Sequence, residues 1–267
     1  MKRFERFFGA WTAAILVFLY LPIAILVAFS FNTSRLNILW QGFTFEWYRA
    51  VWSDAVLVRS LENSLRVAAI ATVLSVLLGT SGAWLLHRYR FPAPSLWRTL
   101  VYVPMLVPEV TMGVSLLILF VVIHLELGFT SIIISHVTFC FPFVLVAVDA
   151  RLAGLDPALE EAALDLGATP VQAFRKVLVP YLMPAVISGA LMSFSLSLDE
   201  LIVTYFTASA GSRTLPLEIF GRVKKGLDPT LNAISTLFIL LTVVLAVTAE
   251  LIRRQGTPQA AKLEEAS

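Results

Sequence analysis

Cysteine is nearly missing from this chain. Cys140 stands alone among 267 residues, so no internal disulfide is available, and its place in an apolar run marks it as a small packing residue. Charge is scarce too: 14% of residues are charged against 58% hydrophobic, with a mean hydropathy of +0.83. A soluble fold of this length has no means of hiding so much apolar surface. The net charge of +2 and the lack of basic clusters interleaved with aromatics give nucleic-acid binding no support. A phosphate-cradling loop needs Lys followed by Ser or Thr after a glycine-rich turn. The five lysines are followed instead by Arg3, Val177, Lys225, Gly226 and Leu263, so the chain does not hold ATP in that way. His87, His124 and His136 show no metal-ligand spacing, and each reads as structural; no metal or cofactor site is expected.

What is present is long apolar runs. A transmembrane helix needs about 20 mostly apolar residues, and six segments qualify, at about 9–31, 63–86, 99–123, 129–150, 181–206 and 231–252. Backbone in lipid must satisfy its own hydrogen bonds, and no alternating ten-residue pattern points to a barrel, so the expected class is all-α. Lys2, Arg3 and Arg6 precede the first run, which is too long and lacks a convincing cleavage site; it reads as an uncleaved anchor. With both termini inside, twelve of the twenty Lys and Arg fall on the cytoplasmic side, a weak bias in the sense of the positive-inside rule. The outer loop 207–230 runs against it with Arg213, Arg222, Lys224 and Lys225, read as touching lipid headgroups or a soluble outer partner.

Between the fourth and fifth runs lies a longer polar segment with helix punctuation. Asp156 is a good N-cap with Pro157 at the first helical position, where a missing N–H costs nothing. Glu160 and Glu161 sit in the opening turns, favoured by the helix dipole. Gly167 suits the left-handed conformation that ends a helix, and Thr169 with Gln172 forms a capping box around Pro170. The spacing predicts helix, glycine break, helix. Leu159, Ala162, Ala163 and Leu166 share one face bordered by Glu160, Glu161 and Asp165. Interfacial helices favour Lys, Arg and bulky apolar anchors, so acids and alanines point to a cytoplasmic protein partner rather than to lipid.

Ionisable groups inside spans are costly and usually functional. Asp199 and Glu200 lie in the fifth run, with Ser193, Ser197, Glu200 and Thr204 along one stripe and Ser195 and Asp199 beside it. Glu109 follows Pro104 and Pro108 in the third, where proline loosens a helix. Glu109, Asp199, Glu200 and Ser197 are the candidate passage residues, and the acids suit a cationic passenger. Phe194, Tyr205 and Phe206 would add cation–π contacts. The alternative is that the acids pair with a partner's cations or reach outer water. Two other functions are weighed. Gly79-Thr80-Ser81-Gly82 is similar to the nucleophile site of rhomboid proteases, but the surroundings of His136, the one histidine well inside a span, do not resemble the small-residue face those enzymes use. An ion-coupled secondary transporter would show paired inverted repeats and broken helices, which this pattern fits poorly.

Glu161-Ala162-Ala163, three residues, Gly167, nine residues and then Val177-x-Val179-Pro180 resembles the EAA loop of binding-protein-dependent ABC-importer permeases. The resemblance covers nearly the whole chain. Trp40-Gln41-Gly42-Phe43-Thr44, Trp47-Tyr48, Ser135 through Phe143, Ser197-Leu198-Asp199-Glu200, Leu215-Pro216-Leu217-Glu218-Ile219, Asp228-Pro229 and Asn232-Ala233 are similar to the spermidine/putrescine branch of that family, its second membrane subunit in particular. It implies polyamine uptake, or uptake of another organic solute, across a bacterial inner membrane. It implies that Glu160, Glu161, Ala162, Ala163, Asp165 and Gly167 seat in a cytoplasmic ATP-binding subunit present in two copies, which holds ATP and Mg. A second homologous permease subunit and an outer solute-binding protein complete the implied assembly. The expected organisation is an anchor span and outer loop at 1–60, the permease core at 61–253 with the loop at about 153–180, and a polar, disordered tail at 254–267.

Overall fold

The protein is seen in a computed structural model that describes residues 2–34, 39–89, 91–226 and 228–255. The tail at 256–267, with Lys262, lies outside the described residues, as does Arg90. Among the described residues the elements are helical throughout: α1 (Lys2–Phe29), α2 (Glu46–Ser53), α3 (Ala55–Arg88), α4 (Pro94–Leu106), α5 (Glu109–Val122), α6 (Phe129–Leu152), α7 (Pro157–Asp165), α8 (Pro170–Ala173), a π-helical turn Phe174–Leu178, α9 (Val179–Asp199), α10 (Ile202–Thr207), α11 (Leu215–Lys225) and α12 (Pro229–Gln255). A single isolated bridge pairs Asn32 with Phe43.

Among the described residues five helices are long and apolar enough to cross a membrane, within Phe7–Phe29, Ala55–Arg88, Phe129–Leu152, Pro170–Asp199 and Pro229–Leu251. Where a sixth span is expected at 99–123, with prolines that loosen it, two shorter helices pass the same test only as a bent pair. The two, Ser95–Leu106 and Glu109–Val122, meet at 104°. The cause is Pro108: proline disfavours the helical conformation in the residue before it, and Val107 is extended at ψ 130°. Pro108 caps α5 and leaves Glu109 as its first residue.

The fifth expected span also differs, at both ends. It starts inside the polar segment, because α8, the π turn and α9 run together over Pro170–Asp199. It stops at Glu200, whose backbone turns extended (ψ 112°) before α10 begins.

The chain divides into two compact units, one of residues 1–59 and 218–241, the other of 60–217 and 242–267. In the first, Trp47 Nε1 donates to the Asn32 carbonyl (2.6 Å), and Phe31, Phe43, Phe45 and Tyr48 pack ring on ring. Arg222 of α11 reaches Asp54 at the α2–α3 joint (2.7 Å) and Glu218 one turn back (2.9 Å). Lys224 of the same helix stands 4.2 Å over the Phe220 ring.

The second unit has its core where α3, α6 and α9 meet: Ala83, Val144, Leu145, Val148, Leu152, Leu178 and Leu182 are buried together. Glycine sets how closely these helices approach. A Cβ on Gly79 would lie 2.8 Å from Val144 Cβ and 2.9 Å from the Leu145 nitrogen, so α3 rests against the backbone of α6.

Candidate functional site

Two regions of the second unit carry the sequence-predicted residues. The first is the polar loop. Asp156 Oδ1 accepts from the Ala158 amide (2.9 Å), and Gly167 takes φ +85°, the left-handed value that ends α7. Thr169 and Gln172 exchange both bonds of the capping box, 2.9 and 3.3 Å. A Cβ on Gly167 would touch nothing within 4 Å, so the requirement there is conformational. Arg151 fixes the base of the loop, donating to the Tyr181 carbonyl (3.2 Å) with its guanidinium 4.2 Å over the Tyr181 ring.

Glu161, Ala162 and Asp165 stand exposed on α7, and Ala163 is half-buried. Of Glu160 only the backbone is described. Leu166 is 90% exposed and Val171 66% exposed, flanked by Leu159 and Phe174. This is a small apolar ridge with acids beside it, outside the membrane-length segment of α6.

The second region is a polar cavity of about 230 Å³ lined by Glu109, Phe139, Ser195, Leu196, Asp199 and Glu200. Three elements converge on it: the first residue of α5, the middle of α6, and the end of α9. Glu109 and Asp199 are exposed, whereas Glu200 is 5% exposed. Glu200 Oε1 accepts from the Val203 amide (2.7 Å) and so caps α10. The lining holds three acids and no base.

Ser197 sits apart from this cavity, buried and hydrogen-bonded to His136 Nδ1 at 2.7 Å. Ser195 lines it instead, and so does Phe139, the ring available for a cation–π contact. Of the aromatics expected nearby, Phe206 packs against Gly113 and the Tyr205 ring. Sequence stripes miss Phe139 because it comes from another helix. They misplace Ser197 because an idealised helix wheel does not say which neighbour covers which flank.

Ser81 Oγ donates to the carbonyl of Leu77 in its own helix (2.6 Å), while both ring nitrogens of His136 face Ser197 and Thr204. Ser81, the serine of the protease alternative, is therefore not paired with His136.

The chain belongs to the family of binding-protein-dependent transport system inner membrane components, whose sequence profile matches residues 71–255. It is a multi-pass membrane protein, the permease subunit of an ABC importer, and translocation rather than catalysis is its role. The spermidine/putrescine transport system permease protein PotC of Escherichia coli (strain K12) is 40% identical over 249 residues, 93% of this chain and 94% of that protein. The putrescine transport system permease protein PotI of the same organism is 39% identical over 240 residues, covering 86% and 85%. A bacterial ABC transporter involved in import of the acidic polysaccharide alginate shares the fold, with a TM-score of 0.70 at 18% identity over 93% of this chain and 97% of that one.

Proposed function

We propose that this permease subunit passes a polyamine, spermidine or putrescine, through the cavity at Glu109, Asp199 and Glu200. The observation that carries the reading is the convergence of three carboxylates from two separate helices on one cavity whose lining holds no base. Three negative charges gathered there repel one another and any anion, and a multiply charged ammonium chain relieves that repulsion while Phe139 offers a ring face to it. The names of the 39–40% identical relatives support the same cargo.

The loop around α7 docks on a cytoplasmic ATP-binding subunit, present in two copies and holding ATP and Mg. A second homologous permease subunit supplies the other side of the passage, and a soluble binding protein delivers the cargo from outside. Both termini then lie in the cytoplasm. Closure of the ATPase pair moves α7, and the continuous helix from Pro170 to Asp199 links that movement to the acids at its far end.

The test is uptake of labelled spermidine by the assembled transporter in vesicles. Glu109→Gln with Asp199→Asn is expected to lower uptake at least tenfold, since each charge-assisted contact contributes on the order of 1.5–3 kcal/mol. ATP hydrolysis should stay within about twofold, because neither residue is on the docking loop. Unchanged uptake in the double variant would overturn the passage.

A further inference from the structure

Three buried side chains at the break between α9 and α10, His136, Ser197 and Thr204, have no place in the passage described so far. His136 of α6 is completely buried. Its Nδ1 lies 2.7 Å from Ser197 Oγ and its Nε2 2.8 Å from Thr204 Oγ1. The Thr204 hydroxyl has a single proton, and that proton is donated to the Glu200 carbonyl at 3.0 Å. Thr204 oxygen must therefore receive from the ring. This places the imidazole proton on Nε2 and leaves Nδ1 to accept from Ser197.

The consequence is mechanical. Ser197 precedes Glu200 by three residues and Thr204 follows it by four, so the ring clasps both sides of the break. At Glu200 itself the backbone is extended, without the regular helical ladder to hold its place. Its carboxylate in turn depends on the position of α10, through the Val203 amide.

We propose that His136 is a positioning residue for the cation site, pinning the α9–α10 break to α6 so that Glu200 faces Asp199 and Glu109 across the cavity. This rests on reading that cavity as the polyamine passage. The ring acts through Ser197 and Thr204, and the cargo does not touch it.

The experiment measures spermidine transported per ATP hydrolysed in the assembled transporter, for Glu200→Gln, His136→Leu, His136→Gln and the pair His136→Leu with Glu200→Gln. Glutamine offers one acceptor and one donor at a spacing close to that of the imidazole nitrogens. His136→Leu is expected to lower the ratio about tenfold, the scale of one lost buried hydrogen-bond pair, and His136→Gln to recover most of it. In the Glu200→Gln background His136→Leu should add less than about twofold, because the two act through one contact.

A full, independent loss in the double variant, or equal losses in uptake and ATP hydrolysis, would reduce His136 to a structural residue and overturn the proposal. If Glu200→Gln alone leaves the ratio unchanged, it is the cation reading of the passage that fails. Should His136→Leu not assemble, Ser197→Ala, which removes the Nδ1 partner and leaves the Thr204 bond to the Glu200 carbonyl in place, is read in the same cycle with the same expectations.

Discussion

Asp54 shows what one side chain does at the N-terminal end of α3. Its carboxylate accepts from the amides of Val56 (3.0 Å) and Leu57 (3.1 Å), capping the helix, and its other oxygen meets Arg222. The hydrogen bond from Arg222 is the main reason its pKa is held below the ordinary carboxylate value, with the two amides adding to the effect against partial burial. Arg222 is correspondingly held further in its charged form by Asp54. A carboxyl whose folded pKa is lowered contributes stability that is full above the unfolded value, about 3.9, and is lost as pH falls through the lower folded value. Asp54→Asn keeps a capping oxygen and removes the charge. At neutral pH it should destabilise by about 1 kcal/mol, the upper range for a partly exposed pair. That deficit should shrink towards zero as pH drops below 4. Melting curves of the purified protein in detergent across this range decide the matter; a deficit independent of pH would assign the effect to the cap alone.

The same scale shows what sequence can and cannot reveal. Asp156, Gly167 and the Thr169–Gln172 box were legible because each bond spans two or three residues, and chain-local geometry fixes it. Arg222 reads in sequence as an outer-loop cation because its partner Asp54 lies 168 positions away. His136 reads in sequence as structural; its two partners sit on two other helices, and no spacing rule reports that meeting.

Among the elements, the third and fifth spans show two ways of breaking a helix. The break after Leu106 could be expected from Pro108, since proline restricts its predecessor locally. The break at Glu200 carries no proline or glycine. It coincides with the bonds of His136, from another helix, to Ser197 and Thr204, and an apolar run that reads as continuous does not show them. Close packing is another element-scale property: Gly79 reads in sequence as one of several small residues, and only the structure shows α6 backbone at 2.9 Å from its absent Cβ. Gly79→Ala gains helix propensity of about 1 kcal/mol but forces α3 and α6 apart, at a cost of typically 1–3 kcal/mol. We expect a net loss of thermal stability in detergent. A variant as stable as the parent would show that the two helices yield without cost.

The α7 loop is the element to which we assign the docking role. Gly167 has room for a side chain but not the backbone for one, so Gly167→Pro should disorder the join between α7 and α8 while leaving the spans intact. Glu161→Lys reverses a charge on the exposed face of the same helix. Both variants should reach the membrane in normal amount and lose most spermidine-dependent ATP hydrolysis. Normal coupled uptake in both would count heavily against the docking role.

At the scale of the whole molecule, the source of energy follows from how its parts are distributed. None of the five lysines precedes a hydroxyl residue, so within this chain no phosphate loop of that kind exists, and a family defined by binding-protein-dependent transport supplies the context for a separate motor. The exposed ridge of Leu166 and Val171 sits at one end of the machinery and the acid-lined cavity at the other. Between them runs a single helical path through the π turn and α9, twenty-one residues of α9 alone, which is the lever of the proposed docking. An ion-coupled carrier has no use for such a lever, because its driving ion binds beside the cargo. Uptake into vesicles holding the assembled transporter should therefore survive an uncoupler that collapses every ion gradient, provided ATP is kept inside the compartment facing α7. It should cease when that ATP is exhausted while the gradients are clamped. The reverse pattern, persistence without ATP and loss on uncoupling, would mean that the α7 ridge is not a motor contact and that Glu109, Asp199 and Glu200 bind a coupling cation instead of the cargo.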